Sequence, residues 1–210
     1  MEIHAPTHPI TTWRQTLAHL AVITAGVLIA LMLEGMVSWI DHRLLVHEAT
    51  ANLTAELRDN EKELDGLFAN LDKERHQLEH ADEIAKVLLA HEPIEKLELA
   101  FEVHGAELKN AALTTSEVTG ALGYMDYGEV RRYASIYDLQ AQFMRLQERQ
   151  GQHFFDVVAF VRRIADTDRP TDEDVRRWRS AIDLALADVV DREQIGRQLQ
   201  KRYAEFLTAP

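Results

Sequence analysis

Residues 17–40 read LAHLAVITAGVLIALMLEGMVSWI. A few residues on, Leu53, Leu57, Asn60, Leu64, Leu67, Leu71, Glu74, Leu78, Ala81, Ala85 and Leu88 advance by alternating steps of four and three. The first stretch holds 24 residues and one formal charge, Glu34. As helix it covers about 36 Å, against a bilayer hydrocarbon core of about 30 Å. Trp13 and Trp39 bracket it, and on a helix they lie about 39 Å apart, a separation that seats both indoles in the two headgroup layers. The stretch therefore reads as a transmembrane helix with Trp13 and Trp39 as membrane-interface anchors. A cleaved signal peptide would need a basic leader, a shorter apolar run and a small-x-small cleavage site. Here Arg14 is the leader's one Arg or Lys, and no such site follows.

The second stretch is a heptad seam with polar residues only at Asn60 and Glu74. Neither Gly nor Pro interrupts residues 40–46, so the span is expected to continue as one helix from about Thr12 to about Ala90. His91-Glu92-Pro93 then ends it.

Composition supports this split. The chain has 210 residues, 35 Asp plus Glu against 23 Lys plus Arg, a formal net charge of −12 and no cysteine. Only three of those charges, Glu2, Arg14 and Glu34, fall in the first 40 residues, so the acid belongs to the remainder. Disulfide scaffolds, zinc ribbons and thiol enzymes are excluded by the missing cysteine, and so acidic a chain lacks the electrostatic footprint of a nucleic-acid binder. With 9 Gly and 5 Pro the breakers are scarce, which favours helix.

The prolines at 6, 9, 93, 170 and 210 mark the element boundaries. Residues 94–112 repeat a helical spacing through Ile94, Leu97, Phe101, His104, Leu108 and Ala111, which predicts one shorter helix. Thr114-x-x-Glu117 and Asp126-x-x-Glu129 match N-caps, and Gly120, Gly123 and Gly128 loosen the stretch between, so a short helix and a turn are expected there. A long helix follows from Glu129 to about Asp166, its stripe running through Val130, Ala134, Tyr137, Ala141, Met144, Gly151, Phe155, Val158 and Val161 or Ala165. Asp168-Arg169-Pro170-Thr171, with Asp174 beyond, is a stop and a restart. The last helix carries Val175, Trp178, Ile182, Ala185, Val189, Leu199, Tyr203 and Phe206 on one seam, with Arg192 and Gly196 as weak points.

The predicted fold is all-α. An N-terminal transmembrane helix continues into a long heptad-patterned helix, followed by an elongated antiparallel helical bundle with the short elements at its far end. The expected divisions are a short N-terminal segment (1–16), the span (17–40), a membrane-proximal stalk (41–91) and the rest of the bundle (92–210). The stalk is expected to be available for dimerisation, with Asn60 setting register in a parallel coiled coil.

Within the span His19, Ile23, Gly26, Ala30, Glu34 and Val37 share one face. Gly26 and Ala30 at small-xxx-small spacing admit a second helix, and Glu34 can find a donor there; His19, Gly26, Ala30 and Glu34 are thus the candidate transmembrane interface. Arg14 and the α-amine stand on one side of the span, Arg43 and Arg58 on the other. The expected topology places the N-terminus inside, with the C-terminal part in the periplasm of a bacterial inner membrane.

Three groups could carry chemistry. His76-Gln-Leu-Glu79-His80 matches H-x-x-E-H, in which two histidines hold zinc while the glutamate activates water. On the heptad, however, His76, Glu79 and His80 face outward, and no third ligand helix is recognisable. Tyr124, Tyr127, Tyr133 and Tyr137 beside Arg131 and Arg132 could line a ligand pocket, though aromatic residues at helical spacing more often form core. Arg162-Arg163, Arg176-Arg177 and Arg179 read as ion pairs between neighbouring helices. No Walker loop, G-x-G-x-x-G or G-x-S-x-G is present.

Gly26-Val-Leu-Ile-Ala-Leu31 followed by Glu34, Trp39 and His42-Arg43 resembles a set of uncharacterised bacterial membrane proteins. These open with a G-x-L-I-A-L helix, then a polar residue and Trp, before a long charged helix like that at Glu48 to Asp65 here. The resemblance covers residues 17–65 and implies a single-pass membrane protein of unknown function. Where such proteins often carry amide or acidic residues, this chain has Gly35 and Ser38. The expected function is association without catalysis or cofactor. The partners would be the lipid bilayer and either a second copy, giving a homo-oligomer, or another membrane protein, with no nucleic acid. A ligand-sensing bundle and a zinc hydrolase are the alternatives.

Overall fold

The computed structural model describes residues 13–93, 99–165 and 170–208, with the side chains of 164 and 165 left aside. Ile94 and Leu97, the Asp168-Arg169 stop, the end of the third helix near Asp166 and most of the 1–16 segment lie outside the described residues. Two compact units are present, Met1–Glu48 and Ala49–Pro210.

In the first unit α1 (Trp13–Leu89) begins, within a residue of its expected start. Every residue from 13 to 41 is exposed. The run from Leu17 to Ile40 carries large apolar residues on all sides, with His19 and Glu34 on the one side that also holds Gly26 and Ala30.

The second unit is a helical bundle, and among its described residues there is no strand. It contains the rest of α1, then α2 (Ala111–Val118), a 3₁₀ turn (Ala121–Tyr124), α3 (Tyr127–Ala165) and α4 (Asp172–Leu207). The α1 seam from Leu53 to Ala85 is buried at every heptad position, Asn60 and Glu74 included. On α4 Val175, Trp178, Ile182, Ala185, Val189, Leu199 and Tyr203 are buried as expected. The two weak points of that seam are specific contacts. Arg192 is buried against Glu74, and a Cβ on Gly196 would come within 2.8 Å of the Phe68 ring and 3.2 Å of Phe143.

The helices do not all alternate in direction. Thr54 meets Tyr133, Asn60 meets Gln140 and Glu74 meets Gln150, so α1 and α3 run parallel. Arg179 reaches Asp82, Arg192 reaches Glu74 and Gln200 reaches Asp65, so α4 is antiparallel to both.

A parallel α1 and α3 require a return segment, and this corrects the helix expected over residues 94–112. Residues 99–110 form no helix. They run as a strap antiparallel to α1, with the Glu102 N–H on Gln77, the Glu107 N–H on Glu63 and the Ala112 N–H on Glu56. From Glu102 to Ala112 the chain accompanies α1 from residue 77 back to 56, about 31 Å of helix. Ten residues cover that distance at about 3.3 Å each when extended, but only about 15 Å when helical.

The short elements consequently sit at the Thr54 and Glu56 end of the bundle and not at the far end. Asn110 precedes α2, so Thr114 lies inside that helix instead of capping it. Gly120, at φ 75°, takes the left-handed conformation that glycine tolerates best and turns the chain into the 3₁₀ element. The Asp126 carboxylate accepts from the N–H groups of Gly128 (2.8 Å) and Glu129 (3.2 Å), and Thr171 caps α4 by accepting from the Asp174 N–H at 3.2 Å.

The α3 stripe also needs correction. Its buried positions are Tyr133, Ile136, Tyr137, Gln140, Phe143, Gln150, Phe154, Val157 and Phe160, while Ala134 and Phe155 are exposed. The apolar stripe is therefore displaced by about one residue for most of its length. The inward face contains Gln140 and Gln150, which a count of apolar residues rejects.

The stalk expected to be available for dimerisation has its seam from Leu53 to Ala85 buried within the chain. Residues 53–85 already spend their apolar seam on α3, α4 and the strap of the same chain. Asn60, expected to set register between copies, is 1% exposed and spends its carboxamide on the Lys109 main chain.

Candidate functional site

The span presents its candidate interface on one side of α1. His19, Gly26, Ala30 and Glu34 are all exposed, and a Cβ built on Gly26 meets nothing within 4 Å. Trp13 and Trp39 are 70% and 58% exposed, and each carries a cation over its ring, Arg14 at 5.9 Å and Arg43 at 5.1 Å. This helix is long and apolar enough to cross a membrane, and its most apolar window is wholly uncovered. The core helix of a soluble protein would be covered instead.

The H-x-x-E-H residues stand on the outward face of α1. His76 pairs with Glu79 at 3.1 Å, their side chains 77% and 52% exposed, and His80 is exposed as well. Among the described residues no group of three or more His, Cys, Asp or Glu is placed to hold a metal ion.

The four tyrosines are divided by the fold. Tyr133 and Tyr137 point into the core, where Tyr133 lies 3.3 Å from the Thr54 hydroxyl and Tyr137 donates to Glu56 at 2.7 Å. Burial, reinforced for Tyr137 by the Glu56 carboxylate, pushes both phenols up. Tyr124 and Tyr127 are exposed. The four therefore do not line one pocket. Of the arginine groups, Arg176 and Arg177 pair within α4, with Asp172 and Glu173, and Arg179 crosses to Asp82 on α1 at 2.8 Å. Burial alone would raise the Asp82 carboxyl, but hydrogen bonds from Lys86 and Arg179 outweigh it and hold the group below its ordinary value. An open apolar cleft of about 530 Å³ lies between the strap and α3, lined by Val103, Gly151, Phe154, Phe155, Val158 and Arg162, among others.

The densest constellation is a polar layer inside the bundle. The Glu74 carboxylate accepts from Arg192 at 2.5 Å and from Gln150 at 2.6 Å, with Glu74 and Arg192 each 1% exposed. Arg192 also donates to the His104 carbonyl of the strap at 3.1 Å. Burial raises the Glu74 carboxyl against the pull of the Arg192 guanidinium. Nearer the α2 end, Asn60 donates to the Lys109 carbonyl at 2.8 Å and to Gln140 at 3.1 Å, and Tyr203 donates to the same Gln140 oxygen at 2.7 Å. Gln147 brackets Ala106, accepting from its N–H at 2.8 Å and donating to its carbonyl at 3.0 Å.

Sequence reasoning passed over Gln140, Gln147 and Gln150. Their spacing of seven and three is itself a heptad seam. No member of this layer is an exposed nucleophile, and its hydrogen bonds are made within the chain.

No known protein family, curated protein or solved structure matches this chain.

Proposed function

We propose that this chain is a single-pass membrane protein that works by association and not by catalysis. Residues 17–40 anchor a bundle lying on the periplasmic side of a bacterial inner membrane. Partners dock through the Gly26, Ala30 and Glu34 face, either as a second copy or as a membrane complex to which the chain is an accessory subunit. The observation that carries this reading is the uncovered apolar run bracketed by Trp13 and Trp39. Small residues on one face let a second helix approach closely, and in lipid Glu34 gains from any donor that helix brings.

The chain has no cysteine, so single-cysteine variants report without background. Gly26→Cys in native membranes should crosslink to itself or to a partner, and Leu28→Cys on the opposite face should do so far less. A purely monomeric pattern for both would remove the association reading. The His80→Cys variant in intact cells should react with a membrane-impermeant maleimide, and protection from that reagent would reverse the topology. Intact mass of the membrane form should retain residues 1–40; their loss would make the run a processed signal.

A further inference from the structure

Residues 102–109 are held to the bundle by side chains that grip main chain. Seven main-chain groups have partners there: the N–H of Glu102, Ala106, Glu107 and Lys109, and the carbonyls of His104, Ala106 and Lys109. Every one of those partners is a side chain of α1, α3 or α4. Asn60 on Lys109 and Gln147 on Ala106 each bond both the N–H and the carbonyl of a single residue, at 2.8 to 3.0 Å. A carboxamide placed this way reproduces the paired bonds that two residues exchange in an antiparallel ladder. It demands extended backbone and takes no account of the side chain on the residue it holds.

Burial along the segment alternates with the strand period of two. Ala106 and Leu108 are 2% and 8% exposed, while Gly105, Glu107 and Lys109 face out. The side chains that line the groove also bond one another, Asn60 to Gln140, Gln140 to Tyr203, and Glu74 to both Gln150 and Arg192, while Asn60, Gln140 and Arg192 bond the strap as well. Preorganisation of that kind lowers the cost of binding.

We propose that the groove between α1 and α3 is a receptor for an extended peptide, with the chain's own residues 102–109 as its resident occupant. It accepts from another chain a segment carrying a small residue followed two positions later by a leucine-sized one. The small residue fits under Gln147, where a side chain even on neighbouring Gly105 would come within 3.1 Å of the amide. The residue between these two positions, Glu107 here, faces out and is free to vary, whereas the position before the small residue favours glycine. This site does not depend on the membrane reading.

The test displaces the occupant and leaves the groove intact. Full-length chain carrying Ala106→Arg and Leu108→Asp is titrated, in mild detergent, with a fluorescent peptide of residues 99–112. This variant should bind the peptide about tenfold more tightly than wild type does. Adding Asn60→Leu or Gln147→Leu should weaken binding by about tenfold, the worth of one or two hydrogen bonds. A peptide altered at the outward Glu107 should bind like the original, and one altered at Ala106 to Arg should not bind. Failure of the displaced variant to bind while it keeps wild-type helical content would overturn the proposal. If the variant loses helical content, hydrogen exchange on the wild-type chain decides. The amides of Ala106 and Lys109 should then open independently of the α4 core amides such as Leu199. Exchange of both sets in step would overturn it.

Discussion

Residues 17–40 and residues 53–85 belong to the same helix, yet they are built for different surroundings. The first stretch carries large apolar residues on every side, broken by His19 and Glu34 on one of them, and is exposed all round; the second has one stripe that is buried at every heptad position. A helix commits only its own backbone hydrogen bonds, and where its apolar groups lie decides what must cover them. Apolar residues on every side ask for lipid, and a stripe asks for protein. The charge partition follows the same line, since the acids of the chain lie almost wholly beyond the span.

The largest expected contrast concerns the one charge in each stretch that lies on an apolar surface. Removing Arg192 leaves Glu74 buried without its partner, so Arg192→Ala should cost about 3–5 kcal/mol in urea unfolding. Replacing both by Met should recover most of that loss. Glu34→Gln in the span should leave the unfolding of the bundle unchanged, and a loss comparable to that of Arg192→Ala would break the comparison.

Leucines sharpen it next. Leu64 is fully buried, and Leu64→Ala should lower bundle stability by about 2–5 kcal/mol. Leu28→Ala should leave the bundle's thermal midpoint where it is. Equal shifts for the two would mean that the span is packed against protein.

Glycines give a smaller effect of opposite sign at two sites. Gly66 has nothing within 4 Å of a new Cβ, so Gly66→Ala should stabilise by about 0.5–1 kcal/mol through helix propensity. Gly196→Ala must displace Phe68 and press on the buried Phe143, and should destabilise by about 1–3 kcal/mol despite the same propensity gain.

The smallest effect is in pH. The folded Asp82 carboxyl lies below its ordinary 3.8, so its contribution is complete above that value and is lost as pH falls through the folded one. Asp82→Asn should flatten the acid limb of the stability curve. Glu74 acts in the other direction. Its folded value lies above 4.5, so folding favours the protonated form and stability declines as pH rises across the range just above 4.5. An acid limb unchanged by Asp82→Asn would remove the Asp82 to Arg179 bridge from the account.

The helices α1 and α4 were legible because their seams are written in Leu, Ile, Val, Ala and Trp at heptad steps, and Thr171 and Asp126 cap as their spacing suggests. The strap was not. Phe101, His104, Leu108 and Ala111 fit a helical spacing, whereas the operative pattern is the alternation of Ala106 and Leu108. That alternation acquires meaning only from Asn60 and Gln147, both about 40 or more residues away in sequence. The α3 stripe was misread because Gln140 and Gln150 face inward to partners that no local pattern reveals, Gln140 to the Lys109 carbonyl of the strap and Gln150 to Glu74 on α1. Of the candidate residues, His19, Gly26, Ala30 and Glu34 were readable as one face from helical geometry alone. The buried pair of Glu74 and Arg192 was visible only as two interruptions in otherwise apolar seams.

The most direct test of one helix serving two surroundings is alkaline carbonate extraction of membranes containing the full chain. The wild-type protein should remain wholly in the membrane pellet, and two arginines introduced at Leu28 and Leu31 should release it as a folded, soluble bundle. Wild-type chain recovered in the supernatant after the carbonate wash would contradict the account.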